Sequence, residues 1–481
     1  MTTSVAQPNV IILEFNELVP DLLDRFIAEG RLPNFKRLRD EAIVAITDAE
    51  EEPPHLEPWI QWVSVHSGVP YAEHKCFNLN DGARFKAPRI WDVVSDAGRR
   101  VWICGSMNAG VSGETINGHV LPDPWATGVK SLPEGFFDDF NRLVRAYVHE
   151  HSGKPDISPA DTLKFARFMI ANGLSAKTIW SALRQLASER RDNTKWRRPV
   201  ILDRLAWDLF RAIWKNERPA LATFFLNSTA HFQHFHWREF EPEQFEVKAS
   251  AEDQRTYGET VAFGYQQMDE IVGEVIDMAG PETSIVLLTA LSQKPMLHFE
   301  ELGGRQIFRH KDHADLMRWA GVTERYAYEP IMSQQFMMTF DSDEDAAAAA
   351  VKIERLRMAD GAQVMLARRD GHQIVSGCLI DIPPAADALV TSGASNQARR
   401  FWDLFYPLEA LRSGMHHPDG VFWARTPSRR HMVLDRKLSL LELAPTLVEM
   451  AGVAGAGSFR SQPIAEVIAA MEPLPALKRA G

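Results

Sequence analysis

The segment Asn227–Trp237 reads NSTAHFQHFHW, and it sets His231, His234 and His236 beside Trp237 directly after the apolar stretch ALATFFL. His231 and His234 are three residues apart and share one face if a helix begins there, where an imidazole can bind a metal or exchange protons. A strand end so rich in histidine is an uncommon way to cap a core, which favours function over a buried aromatic loop. A second group is acidic: Glu14 and Glu17 close the run VIILEF, and Glu50, Glu51, Glu52 and Glu57 surround Pro53-Pro54-His55. Glu50 to Glu52 read as a solvated charge run. Glu14 follows VIIL directly, and Glu57 precedes PWIQWVSVHSG, where the spacing of Trp59, Trp62 and Val63 predicts the start of a buried helix. A carboxylate at such a place is partly desolvated and its pKa moves, which suits acid or base work. A third group, SGMHHPDGVFWAR, puts His416 and His417 in a turn that Gly414 and Gly420 permit.

These groups need a scaffold, and the hydrophobic pattern supplies one. Val10–Phe15, VWICG, ALATFFL and SIVLLTA are short apolar runs, separated by stretches with helical spacing such as DLLDRFIAEG and Ala251–Met278. Strands that are apolar on both faces and alternate with helices predict a mostly parallel sheet covered on both sides. Ligands bind beyond the carboxyl ends of such strands. That rule points to Glu14–Glu17, Asn227–Trp237, Thr289–Gln293 and the loop Glu50–Glu57.

Phe136–Lys215 is nearly all helical in pattern, and Gln335–Asp381 reads as strand, helix and hairpin. The division expected is a core of residues 1–135, 201–328 and 401–481, interrupted by a helical insertion over 136–200 and a βαββ insertion over 329–400. The alanine run inside the latter is helix-forming sequence without functional weight. The 13 tryptophans and 26 phenylalanines lie mostly in helical patterns such as RLAWDLFRAIW and read as core.

Composition narrows the partners. Lys plus Arg total 53 against 64 Asp plus Glu, a net charge of −11 that argues against a nucleic-acid surface. The three cysteines, Cys76, Cys104 and Cys378, are too scattered for a disulfide framework or a cysteine metal site. No signal-like amino terminus and no long apolar span is visible, so the expected setting is cytoplasmic, with a small-molecule substrate, no nucleic acid and no membrane partner; a homo-oligomer stays open. P-loop, GxGxxG, GxSxG and HExxH patterns do not occur.

Taken in order, VIILEFNELVPDLLDRFIAEGRLPNFKRLRDEA, PWIQWVSVHSGVPYAEHKCF, AHFQHFHW, SGMHHPDGVFWAR and LSLLELAPTLVEMAGV resemble the alkaline phosphatase superfamily, and within it the type I phosphodiesterase/nucleotide pyrophosphatase branch. The resemblance covers most of the chain outside the two insertions and implies an alkaline-phosphatase-like α/β core. It also implies two divalent metals held by Asp and His, with a Thr or Ser nucleophile between them. Carried across, the first aspartate falls on Asn16, the nucleophile on Glu57 or Pro58, and the aspartate of the "D..QH" block on Ala230. The later Asp-His pair falls within Thr289-Ala290-Leu291-Ser292, whereas His234 and His416 match the family's histidines. Two histidines do not hold two dications, so no two-metal centre is expected.

Three readings follow from the residues that remain. In the first, a divergent hydrolase cleaves a C–O or P–O bond of a small sugar-containing or phosphorylated substrate without metal or cofactor. Glu57, Glu14, His234 and His416 are its catalytic groups, and Asn16, His231, Ser292 and Gln293 bind substrate. In the second, a phosphodiesterase or phosphatase keeps a single divalent metal at His234 and His416. In the third, the chain is catalytically inactive and binds a ligand or partner.

Overall fold

The computed structural model describes residues 8–113, 115–126, 128–148, 157–331, 334–408, 410–454 and 456–472. The amino-terminal residues 1–7, and the stretch 149–156 of the expected helical insertion, lie outside the described residues.

The central sheet contains β1 (Asn9–Phe15), β2 (Ile43–Asp48), β3 (Val101–Cys104), β4 (Gly118–Leu121), β5 (Leu221–Leu226), β6 (Thr283–Leu288), β7 (Asp419–Arg425), β8 (Met432–Val433) and β9 (Leu438–Ser439). The order is β8-β2-β7-β6-β1-β5-β3-β4, with β9 also paired to β2. All these pairings are parallel except those of β7, which runs antiparallel to both β2 and β6. The fold is mixed α/β, a mostly parallel sheet flanked by helices.

Alternation along β1 sorts its side chains between two cores. Ile11, Leu13 and Phe15 enter one with Phe26, Phe35, Trp207 and Trp237. Val10 and Ile12 enter the other with Trp62, Trp91, Leu443 and Leu447 from the opposite helical layer. Each fully buried side chain of this kind contributes about 1.5–3 kcal/mol, which is why these strands read as continuous apolar runs.

Phe336–Phe340, Met365–Asp370 and Gln373–Cys378 form an antiparallel sheet of their own, joined at one edge by Tyr326–Pro330. Helix Asp343–Glu354 follows Phe336–Phe340 in sequence, and the unit has a separate core of Phe336, Ile353, Ile374 and Phe401. The edge strand Tyr326–Pro330 crosses the boundary expected at 328/329 and belongs to this unit, as does Phe401, which was expected in the main core; YAYEP alternates too weakly to mark the strand in sequence. Helices Asp138–Val148, Pro159–Ala171, Ala176–Ser188 and Pro199–Glu217 account for the helical stretch between β4 and β5. No helix among the described residues is long and apolar enough to cross a membrane.

Candidate active site

Parallel β1, β5 and β6 end side by side at Phe15, Leu226 and Leu288, and the residues just beyond them meet. Asn16 and Glu17 leave β1 in a turn in which Glu17 has a left-handed φ of 62°. This conformation costs a non-glycine residue of order 1–3 kcal/mol and persists only where surrounding contacts enforce it. Those contacts are present. Asn16 Nδ2 donates to Glu17 Oε1 at 2.9 Å and to Asn227 Oδ1 at 2.8 Å, while Trp62 Nε1 donates to Asn16 Oδ1 at 2.9 Å. Gln233 Nε2 donates to the Glu17 carbonyl at 2.8 Å, and the Gln293 amide donates to Glu17 Oε2 and to the Ala230 carbonyl.

The two histidines singled out in the sequence, His234 and His416, face this carboxylate. Helix Ser228–Phe240 brings His234, whose Nε2 lies 3.1 Å from Glu17 Oε2. Strand Gly414–His417, paired with Ser292–Pro295, brings His416, whose Nε2 lies 3.6 Å from the same oxygen. Gly414 makes this approach feasible, since a Cβ there would overlap the Gln233 carbonyl oxygen. The rings stand 5.1 Å apart at 74°.

Their outer nitrogens fix the tautomers. His234 Nδ1 is 3.1 Å from the Gly414 carbonyl oxygen and His416 Nδ1 is 2.9 Å from that of Leu56. A carbonyl oxygen only accepts, so Nδ1 carries a proton in both rings, and Nε2 is the atom each turns towards Glu17. Burial, countered by Glu17 and reinforced by His234 and Arg412, lowers His416 to about 3, which favours loss of its Nε2 proton. Burial also works against the charge on Glu17, but positive charge on the adjoining imidazoles, His234 first, and hydrogen bonds from His234 and Gln293 outweigh it and hold that carboxyl at about 2.

Two lone pairs and a carboxylate oxygen converging within 4.8 Å form an arrangement that a cation stabilises. Ligand atoms about a tetrahedral centre with bonds of about 2.0–2.1 Å stand about 3.3 Å apart, and the 3.1 and 3.6 Å separations bracket that value. The donors fit one divalent cation with a position left open. They do not fit two, since Ala230, Ala290 and Leu291 offer no ligand atom and the described residues contain no second such cluster.

These groups open into a cavity of about 1170 Å³. Glu57 lines it from the N-cap of helix Pro58–Ser67, with Oε2 3.4 Å from His416 Nδ1. Burial, joined by Glu17 and opposed by Arg412, Arg305 and Arg368, pushes its carboxyl up to about 8. Arg412, Arg305, Arg309 and Arg238 also line the cavity.

Of the sequence candidates, Asn16, Glu57, His231, His234 and His416 line this cavity, His231 as an exposed side chain. Gln293 is buried behind it as a support for Glu17, and Ser292 is buried in the strand whose backbone pairs with His417. Glu14 is elsewhere, which corrects its assignment to the catalytic groups. It lies on the same face of β1 as Val10 and Ile12, is fully buried, and pairs through Oε1 with His66 Nε2 at 2.8 Å. We therefore expect Glu14→Ala to destabilise the fold by about 3 kcal/mol, the usual scale for stripping one partner from a buried pair. Turnover per folded molecule should stay within a factor of about two, since a change far below 1 kcal/mol in the barrier is expected. Denaturant melts and rates corrected for folded fraction would check this.

Glu17 is the residue that the sequence reading named beside the first strand but gave no role in the site. Its signal was present in LEFNEL, one position beyond Asn16, but only the left-handed turn decides that it, rather than Glu14, points into the crevice. The arginines gave no sequence signal, because isolated Arg residues are ordinary surface residues until a fold gathers them.

No family model and no curated protein matches this sequence. Among solved structures, the fold is similar to that of phosphonoacetate hydrolase from Sinorhizobium meliloti 1021, at 14% identity and a TM-score of 0.39, covering 93% of this chain and 96% of that one. It is likewise similar to wild type alkaline phosphatase PafA, at 11% identity and a TM-score of 0.43, covering 97% of this chain and all of the other. A murine ectonucleotide pyrophosphatase/phosphodiesterase in complex with AMP is similar at 10% identity and a TM-score of 0.40, with 93% and 96% covered. These likenesses concern the fold, and the chemistry of this chain has to be argued from its own side chains.

Proposed function

We propose that the protein is a hydrolase of an anionic ester, most simply a phosphoester, built around one divalent cation held by Glu17, His234 and His416. The convergence of two Nδ1-protonated imidazoles on one buried carboxylate oxygen carries this reading. A cation bound there supplies Lewis acidity towards an ester oxygen. The chain's own residues supply the rest. Arg412 and Arg305 face the same cavity as Glu57 and bind the substrate's anionic group, as guanidinium forks do. Glu57, beside His416, is placed to exchange a proton with the leaving group or an attacking water. Asn16 and Gln293 hold Glu17 in its turn. The phosphoester assignment draws on the resemblance read in the sequence, which implies P–O chemistry.

Elemental analysis of protein purified without a metal-affinity tag, joined to a screen of phosphate mono- and diesters before and after chelation, tests the proposal. About one divalent metal per chain and an activity abolished by chelator are expected. Turnover of a phosphoester by metal-free protein would overturn it and return the site to a carboxylate pair, with Glu17 in the place first given to Glu14.

A further inference from the structure

Helix Ala176–Ser188 is mounted in reverse. In a helix packed on a globular body the apolar side faces inward. Here Thr178 is buried, Gln185 Nε2 donates to the Thr194 carbonyl at 2.6 Å, and Ser188 Oγ meets Thr194 Oγ1 at 2.9 Å. The inward side is therefore polar. At about 100° per residue, Ile179, Trp180, Leu183 and Leu186 fall within one arc of about 120°, and all four are exposed, Trp180 by 63%. The preceding helix, Pro159–Ala171, carries Leu163 and Ile170 on a comparable arc, also exposed, with Ile170 at 71%. Lys164 and Arg167 stand exposed among them.

Charge identifies what such a surface fits. From Pro159 to Arg198 there are nine Lys and Arg against three Asp and Glu, a net +6 in a chain whose net charge is −11. Lys177 and Arg198 are committed to Glu270, Glu274 and Glu189, but Lys164, Arg167, Arg184, Arg190 and Arg191 form no ion pair among the described residues. We infer that this helical pair is a docking surface for an anionic lipid bilayer, with Ile179, Trp180, Leu183 and Leu186 entering the headgroup boundary and the free basic residues meeting anionic lipid. Exposed Trp, Ile and Leu beside Lys and Arg are the composition of helices that lie in the interface plane. A second copy of this chain fits less well, because a two-fold contact places the same patch on both sides and sets +6 against +6. The sequence expectation of no membrane partner rested on the lack of a spanning segment, and a helix lying in the interface needs none. Lys195 and Trp196, from the end of the same basic stretch, line the cavity described above, so docking would set that cavity beside the lipid surface.

Sedimentation of the full chain with sucrose-loaded vesicles of phosphatidylcholine, with and without phosphatidylglycerol, tests the inference without reference to catalysis. Binding to the mixed vesicles is expected at low salt, falling about tenfold or more as added salt screens the basic residues. Trp180→Glu with Leu183→Glu should abolish binding, and Arg184→Glu with Arg191→Glu should weaken it at least about fivefold, with unchanged melting in both because these side chains are exposed. The inference is overturned by failure to bind phosphatidylglycerol vesicles. Unimpaired binding by the Trp180→Glu/Leu183→Glu variant overturns it too. So does a concentration-dependent dimer that this variant dissolves in a protein that ignores vesicles.

Discussion

Glu17→Gln is expected to empty the cation site and cut turnover by about a thousandfold or more, since the cation's contribution of several kcal/mol goes with it. The amide keeps the shape of the side chain and its left-handed turn but removes the anionic ligand that both Nε2 atoms face. His234→Ala and His416→Ala should do the same, each leaving two ligands where three converged. Asn16→Ala should be milder, about 10–100-fold in metal affinity, as it removes the amide that orients Glu17 and leaves the ligands in place. Metal content per chain, measured beside turnover, separates these outcomes. Full metal occupancy in Glu17→Gln would place the cation elsewhere and remove the carboxylate from the proposal.

This ordering explains what could be read from the sequence. The parallel sheet was legible because its strands are buried on both faces and carry that fact in runs such as VIIL and LATFFL. His234 and His416 were legible because each falls in a block that resembles the family's, and only that resemblance brought Asn16 together with them. Glu14 and Glu17 were indistinguishable in kind: both are acidic, both lie at the end of one strand or just past it, and both are buried. Their separation depends on strand parity, which sends Glu14 into the layer of Trp62 and His66, and on one left-handed residue, which sends Glu17 the other way. Neither is encoded in local composition. The outward-facing helix Ala176–Ser188 shows the same limit from the opposite side. Its periodicity announces an amphipathic helix, yet periodicity cannot say which face meets the protein.

Glu57 provides the sharpest test of the chemistry, because it can be changed while all three proposed ligands are kept. It lies at the head of helix Pro58–Ser67, inside the cavity, and its backbone is held through the Gln61 side chain, which accepts from Glu57 N at 2.9 Å. Its own carboxylate makes no capping hydrogen bond to that helix, so the fold does not depend on the charge. Glu57→Gln should therefore melt as the parent does and retain its metal, while losing about 10²–10⁴ in turnover, the usual range for removing a positioned general acid or base. The loss should appear in kcat rather than KM, since the amide still fills the same space in the cavity that Arg412 and Arg305 also line. Equal damage to KM alone would mean that Glu57 only shapes the cavity, and undiminished turnover with an identified substrate would sink its part in proton transfer. Glu57→Asp discriminates further: a shorter acid that recovers part of kcat demonstrates that a transferable proton, rather than packing against His416, is what the position supplies.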